Sequence, residues 1–329
     1  MRATSVFAGI LITFQACLLT GPTLAVEPDI VYDRKLVPPM RGDSFRVPKA
    51  VFTDLEAGEV FVSDPHNHRI VIFDQNGIFR HQIDGGVIFR SVADLAVDAD
   101  GRILVLTSRV DPVGLLELDF DGTYLGDINL AGLPEDLEES PTLSSFGLSA
   151  AGDRIYMLDT ANQRLWLTDR KGLVEDSVDL TMDFDEEYLA ERIFGRVDVY
   201  GDTVMVSVSR DGKIYLYDLD GQSKGAVGLK GTGPCQTMFP VAAALDQDGK
   251  IVVLDKQRAI FMRWDPQTNR CLSQHYGFGN VPGAMYQPDD IALDAFGQLY
   301  VIQGFEGRVQ VYKGAIPAAG STSSQTAGR

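Results

Sequence analysis

The stretch SDPHNHRIVIFDQNGIF, from Ser63 to Phe79, decides the fold, because it holds a turn, a strand and a second turn. Residues 64–67 include aspartate, proline and asparagine, which are turn formers. Residues 69–73 are rich in β-branched and aromatic side chains, as strands are. Residues 74–77 give a second turn signature. A chain that repeats this pattern is built from short strands joined by tight turns.

The first strand of such a unit recurs along the chain, which indicates an internal repeat. The copies are AVFTD (50–54), DLAVD (94–98), SFGLS (145–149), FGRVD (194–198), AAALD (242–246) and DIALD (290–294). Their last residues are separated by 44, 51, 49, 48 and 48 positions. Six copies at this period predict an all-β, six-bladed β-propeller with four-stranded antiparallel blades.

Two turns carry a resemblance to a known repeat. They are DPHNHRI at 64–70 and DTANQRL at 159–165. On these residues the chain resembles the NHL-repeat family over positions 45–313. The resemblance implies a propeller but says little about activity, since propellers host many functions. Arg69 and the basic residues at its position in other copies are interpreted as long side chains that pack on the blade and pair with a carboxylate.

The repeat also sets the boundaries within the chain. The blades are predicted at about 45–86, 87–132, 143–182, 192–230, 233–279 and 281–313. The last copy ends after its third strand, and DIVYD at 29–33 belongs to no blade. We therefore predict that segment 26–44 supplies the strand that closes the ring and removes an open sheet edge. Residues 314–329, rich in Gly, Ser and Thr, are predicted to be a disordered tail.

Residues 1–25 have the pattern of a secretory signal peptide. Arg2 precedes an uncharged apolar run, and TLA at 23–25 is a small-x-small cleavage site. Lipidation at Cys17 is the alternative, although Gln15 fits a lipoprotein signal badly. The sequence therefore predicts an exported protein, periplasmic or secreted.

The formal net charge of −17 restricts the class of partner. Such a charge repels nucleic acid, so a nucleic-acid partner is excluded. It favours a cationic partner, or it keeps an exported protein soluble. No transmembrane segment is predicted, and we interpret the chain as a monomer or as a subunit of a complex.

Two cysteines lie outside the signal peptide, Cys235 and Cys271. An exported protein can form a disulfide. The repeat, however, places Cys235 in a linker and Cys271 early in an outer strand, towards the opposite face. Since a disulfide needs Cα atoms within about 7 Å, we expect both thiols to be free.

Blade topology gathers candidate binding residues on one face. In a four-stranded meander, the linkers that enter each first strand and the turns between second and third strands share a side, which we call the linker face. The candidates on it are His66, His68, Glu135, Asp136, Glu186 and Glu187. Long loops on a rigid scaffold often bind ligands, but a solvated charged rim is the alternative. Residues 186–194 are predicted to form a helical turn over this face.

A ring of aligned inner-strand residues is predicted at the central channel. It consists of Ala50, Asp94, Ser145, Phe194, Ala242 and Asp290. Asp94 and Asp290 are candidate ligands for Ca²⁺, which takes six or more oxygens. The alternative interpretation is that these acids accept hydrogen bonds from backbone N–H groups or water.

The sequence offers no nucleophile–base pair for catalysis. Propellers that resemble this repeat include enzymes with a channel metal, but the histidines His81 and His275 fall in outer strands here. We therefore predict a non-catalytic binding or scaffold propeller without a cofactor, which recognises a protein, peptide or small ligand on the linker face. The alternatives are a hydrolase or lyase with a channel metal, and a structural subunit of a cell-envelope complex.

Overall fold

The computed structural model describes residues 30–39, 43–108, 113–135, 137, 139–181, 193–316 and 318–319. Within these residues the strands form six antiparallel sheets of four strands each. Five of the sheets are simple meanders of consecutive strands, and the sixth combines the first strand of the chain with the last three. The predicted six-bladed β-propeller is confirmed.

The chain begins the fold with β1 (Val31–Lys35) and then builds blades 1 to 3 in order. Blade 1 consists of β2 (Val51–Asp54), β3 (Glu59–Asp64), β4 (Arg69–Asp74) and β5 (Phe79–Asp84). Blade 2 consists of β6 (Ser91–Val97), β7 (Ile103–Ser108), β8 (Val113–Leu118) and β9 (Tyr124–Ile128). Blade 3 consists of β10 (Leu143–Leu148), β11 (Arg154–Asp159), β12 (Arg164–Asp169) and β13 (Val174–Asp179).

Blades 4 to 6 complete the ring. Blade 4 consists of β14 (Phe194–Tyr200), β15 (Thr203–Val208), β16 (Lys213–Tyr217) and β17 (Ser223–Val227). Blade 5 consists of β18 (Pro240–Leu245), β19 (Ile251–Asp255), β20 (Ile260–Asp265) and β21 (Arg270–His275). Blade 6 consists of β22 (Asp290–Leu293), β23 (Gln298–Gln303), β24 (Arg308–Lys313) and β1.

The N-terminal strand closes the ring, as predicted. β1 pairs antiparallel with β24, with Tyr32 opposite Tyr312. The two tyrosine rings meet edge to face at 6.0 Å, and the Asp33 carboxylate accepts from Lys313 Nζ at 2.9 Å. β1 therefore covers the edge of β24 that would otherwise be open, which matters because unpaired edges invite pairing with other chains.

Apolar side chains pack between the blades. Among the residues that the structure describes, six buried clusters each join two neighbouring blades. One of them contains Phe61 and Ile72 of blade 1 together with Leu95 and Val105 of blade 2. Successive strand residues point to opposite faces, and both faces of a blade are covered. For this reason the second strands are continuous apolar runs, such as ILVL at 103–106.

The register of β14 differs from the prediction by two residues. The β14–β15 hairpin turns tightly between Tyr200 and Thr203, and the pairing shifts between Phe194 and Val197. In blade 2 the corresponding hairpin is longer, since its last pair is Val97 with Ile103. The short hairpin moves Arg196, rather than Phe194, into the ring position.

The beginning of the predicted disordered tail is ordered. The backbone N–H of Ala318 donates to Asp294 O at 2.9 Å, and that of Ala319 donates to Leu245 O at 2.8 Å. These bonds hold the segment across the ends of two inner strands, so the assignment of 314–329 as wholly disordered is wrong at its start. Residues 317 and 320–329 lie outside the described part. Among the described residues, no helix is long and apolar enough to cross a membrane.

Candidate functional site

The linker face exists as predicted, and polar side chains build it. Within the described part of the chain, the last residue of the second strand accepts the backbone N–H of the incoming linker in four blades. The pairs are Asp64 with Arg46 at 2.7 Å, Asp159 with Thr142 at 2.9 Å, Asp255 with Met238 at 2.5 Å and Gln303 with Tyr286 at 2.9 Å. Each linker is thereby fixed against the adjoining turn, which gives this face a rigid backbone.

Arg69 extends this anchoring in blade 1. Its Nε donates to Asp64 at 2.8 Å, and its NH1 donates to Asp43 at 2.7 Å and to Gln82 at 3.0 Å. Hydrogen bonds to Arg69 hold the pKa of Asp43 below its usual range. The interpretation of Arg69 as a packed, paired side chain is confirmed. The Asp64 carboxylate is fully buried and accepts hydrogen bonds from Arg46 and Arg69.

The two predicted histidines lie in the same turn but differ in their surroundings. His66 is exposed within the 3-10 turn Pro65–Asn67. His68 follows it with a φ of 53°, in the left-handed region, and its Nδ1 contacts Arg90 O. Both side chains are exposed, and their part in binding stays a prediction.

The predicted acidic residues are placed only in part. Glu135 is exposed in the linker between blades 2 and 3. Asp136, Glu186 and Glu187 lie outside the described residues, together with most of the predicted helical turn. Their part in binding stays a prediction.

The linker face also presents an aromatic patch that sequence analysis missed. It comprises Phe278, Tyr286 and Phe305, and Val281 is exposed in the same linker. The Tyr286 ring lies 5.1 Å from that of Phe278 and 5.3 Å from that of Phe305. Phe278 is 71% exposed and Phe305 is 72% exposed. The signal in the sequence is an aromatic at the 2–3 turn of blade 6, where blade 1 has His66, but only the fold brings it beside Tyr286.

A buried charge cluster joins the inner strands. Arg196 NH2 contacts Asp94 Oδ1, and Arg196 Nε lies 3.0 Å from Asp290 Oδ1 and 3.8 Å from Asp198 Oδ1. Burial raises the pKa of Asp290 to about 7, although Arg196 opposes the shift. Burial also raises the pKa of Asp198 well above its usual range. Burial alone would lower the pKa of Arg196, but attraction to Asp290 and Asp94 raises it.

Polar side chains of the inner strands also tie successive blades together. Each accepts a backbone N–H from the first strand of the next blade. The pairs are Asp290 with Val51 at 2.8 Å, Asp94 with Phe146 at 3.1 Å, Ser145 with Val197 at 3.1 Å and Asp198 with Ala243 at 2.9 Å. The alternative interpretation of the channel acids, as acceptors of backbone N–H groups, describes these contacts.

The two predicted metal ligands lie beside a positively charged side chain. Asp94 and Asp290 are brought together, but the Arg196 guanidinium already lies between them. Among the residues that the structure describes, no three His, Cys, Asp or Glu side chains form a group that could hold a metal ion. The Ca²⁺ assignment of Asp94 and Asp290 stays a prediction, and a bound cation would have to displace an internal positive charge.

The prediction of two free thiols is wrong. Cys235 and Cys271 form a disulfide, with Cα atoms 5.7 Å apart. Strands of a blade twist relative to one another, so the outer strand is rotated far from the inner one. This rotation carries the 3–4 turn of blade 5 to the end of blade 4, where Gly228 N–H donates to Asn269 Oδ1 at 3.0 Å. The linker therefore passes beside β21, and Cys235 N–H donates to Gln274 Oε1 at 2.9 Å.

Comparison with known proteins supports the fold alone. No family model matches the chain, so the NHL resemblance is not confirmed, and no curated protein matches it. A protein of unknown function from Bacteroides thetaiotaomicron is similar in structure, with a TM-score of 0.64 and 13% identity over 87% of this chain and 76% of that one. The WD40 β-propeller domain of Doa1 gives a TM-score of 0.54 and 12% identity over 81% of this chain and 78% of that one.

Proposed function

We propose that this chain is an exported, non-catalytic binding propeller that recognises a protein or peptide partner on its linker face. The observation that carries the proposal is the aromatic patch, in which two phenylalanine rings are more than two-thirds exposed. Contiguous exposed apolar groups on a soluble protein mark interaction sites, and aromatic side chains are enriched at the centres of interfaces.

The backbone under the patch is preorganised for binding. Tyr286 N–H donates to Gln303 Oε1 at 2.9 Å, and Gly304 N–H donates to Asp289 Oδ2 at 2.9 Å. Asp289 in turn pairs with Lys256 Nζ at 2.5 Å. A partner therefore meets loops that are already held in place, which lowers the entropy cost of association.

Charge favours a partner with basic groups around an apolar anchor. The net charge of the chain is −17, and Glu135 is exposed on the same face. Opposite charges at the rim of an interface accelerate encounter more than they add affinity. Contact between an apolar group of the partner and the aromatic patch would accordingly supply most of the affinity. The acidic linkers would select for cationic partners.

The proposed location is outside the cytoplasm, in the periplasm or the medium. The signal-peptide pattern of residues 1–25 motivates this assignment. The Cys235–Cys271 disulfide supports it, because disulfides persist mainly in oxidising compartments.

Selection of peptides from a random display library tests the proposed site. Peptides selected on the wild-type protein are measured against the double variant F278S/F305S and against F120S/F296S, whose two phenylalanines are also exposed but lie elsewhere. We expect the patch variant to lose at least about tenfold in affinity, since burial of an aromatic anchor contributes 2 kcal/mol or more, and the control to bind as wild type. Selected peptides that bind both variants equally well would contradict the proposal.

Elemental analysis and cell-envelope fractionation address the two alternatives. A stoichiometric metal in the purified protein would favour a hydrolase or lyase with a channel metal. If fractionation always recovers the chain in one envelope assembly of fixed composition, with no exchangeable partner, the chain would be a structural subunit.

A further inference from the structure

A cavity of about 490 Å³ occupies the central channel on the side opposite the linker face. It is lined by the last residues of the inner strands of blades 1 to 4 and by the turns that follow them, including 54–56, 98–99, 149–150 and 200–201. Since each inner strand starts at the linker face, these ends define the opposite mouth. The volume is in the range of small-molecule sites.

The walls of the cavity are mostly apolar. Phe52, Val97, Leu148 and Val199 line it, and Ala319 of the docked C-terminal segment closes one side. The charged lining residues below the mouth are Arg196 and Asp198. A ligand would therefore meet apolar groups along its length and a charged group at its inner end.

The charges at the inner end do not balance. Asp94 and Asp290, both fully buried behind the cavity, already provide two carboxylates for the single Arg196 guanidinium. Asp198 is a third carboxylate, and its Oδ1 lies 3.8 Å from Arg196 Nε, beyond hydrogen-bond distance. Its Oδ2 accepts from Ala243 N–H at 2.9 Å. Asp198 therefore lines the cavity with one oxygen that no short hydrogen bond occupies.

We propose that this cavity binds a small amphipathic ammonium compound, with the ammonium group on Asp198 and the apolar chain along the Phe52 and Val199 walls. Asp198 shares the one Arg196 guanidinium with two other carboxylates, and a bound cation supplies a second positive charge to this cluster. The apolar walls favour a hydrocarbon chain over a compact inorganic ion.

Binding of the ammonium compound involves the transfer of one proton and no other chemical change. When Asp198 is protonated in the free protein, binding of R–NH₃⁺ releases that proton to water and leaves a carboxylate–ammonium pair. The raised pKa of Asp198, caused by burial, is consistent with this exchange. The charged groups that face it are Arg196, Asp94 and Asp290, with Asp54, Glu56 and Asp98 at the mouth.

Calorimetric titration with n-hexylammonium chloride and with the neutral 1-hexanol tests the site on the wild-type chain. We expect the ammonium compound to bind at least tenfold more tightly than the alcohol. D198N should abolish that difference, because the amide keeps an acceptor for Ala243 N–H but carries no charge. D202N should retain it, since Asp202 is exposed in the adjacent turn and does not line the cavity.

A crystal structure of the wild-type complex keeps the test independent of how well D198N folds. The structure should show the ammonium nitrogen within hydrogen-bond distance of Asp198. Equal binding of the two compounds to wild type, unchanged discrimination in a folded D198N, or a ligand seated outside the channel would overturn the proposal. Each of these outcomes leaves the linker-face proposal untouched, because that site lies on the other side of the ring.

Discussion

The Asp290 carboxylate of blade 6 accepts the backbone N–H of Val51 in blade 1 at 2.8 Å, although 239 positions separate the two residues. This bond joins the last inner strand to the first. β1 performs the same task at the outer edge of blade 6, where it pairs with β24. The ring is thus closed twice, once at the channel and once at the rim.

Removal of the closing strand should sharply destabilise the protein. Deletion of residues 30–35 exposes the edge of β24 and removes Ile30 and Tyr32 from an apolar cluster. We expect Tm to fall by roughly 10 °C or more, since each kcal/mol shifts Tm by about 2–4 °C in a domain of this class. An unchanged melting curve would contradict closure by β1.

The buried Arg69 network should matter far more than a surface ion pair in the same blade. The Arg69 side chain is 5% exposed and bound to Asp64 and Asp43, whereas Arg80 is 59% exposed and lies 3.2 Å from Asp74. Arg69→Ala should cost about 3–5 kcal/mol, because it leaves buried carboxylates unpaired. Arg80→Ala should cost less than about 1 kcal/mol. Chemical denaturation measures the free energy of unfolding of both variants. A loss for Arg69→Ala as small as that for Arg80→Ala would show that the network is not stabilising.

The disulfide should be present and stabilising. It closes a loop with a sequence separation of 36 residues, for which loop entropy predicts roughly 3–4 kcal/mol. Non-reducing peptide mapping should recover Cys235 and Cys271 in one linked product, and Cys235→Ser should lower Tm. Recovery of two free thiols from protein purified under oxidising conditions would refute the pairing.

Asp198 should make stability depend on pH in a defined direction. Its pKa is raised in the folded chain by burial, so its contribution favours the fold below the ordinary carboxyl pKa near 4 and is lost as pH rises through the raised value. The asparagine of Asp198→Asn does not ionise. The free energy of unfolding of this variant should therefore rise relative to that of wild type between pH 5 and pH 8. We expect the gain to grow as pH rises, because ionisation of the wild-type Asp198 in its buried site opposes folding and the amide avoids that cost.

Urea unfolding at both pH values measures this difference. The groups that face Asp198 are Arg196, Asp94 and Asp290, and they are unchanged in the variant. Asp202→Asn is the matched control. This substitution removes the same charge, but from a side chain that is 83% exposed. Parallel pH profiles for wild type and Asp198→Asn would contradict the raised pKa.

The repeat made the architecture predictable from sequence. Strand–turn units recur with apolar runs and glycines, so the number of blades, the closing strand and the linker face all follow from local patterns. The paired role of Arg69 also follows, because its partner Asp64 belongs to the same short motif.

The residues that sequence analysis misplaced depend on non-local geometry. Arg196 reached the ring position through a short hairpin between Tyr200 and Thr203, which shifted the register by two residues. The Cys235–Cys271 pairing depends on blade twist, which a strand pattern does not record. The aromatic patch likewise combines a linker with a turn that are distant in sequence.

Site-specific photocrosslinking in the producing cell tests the central claim most directly. A benzophenone amino acid replaces Phe305 in the aromatic patch or, as a control, Phe296, which is 60% exposed in the same blade on the opposite face. We predict a discrete crosslinked partner from position 305, absent from position 296 and lost when F278S is added. Equal crosslinking from both positions, or a discrete product from position 296 alone, would contradict recognition on the linker face.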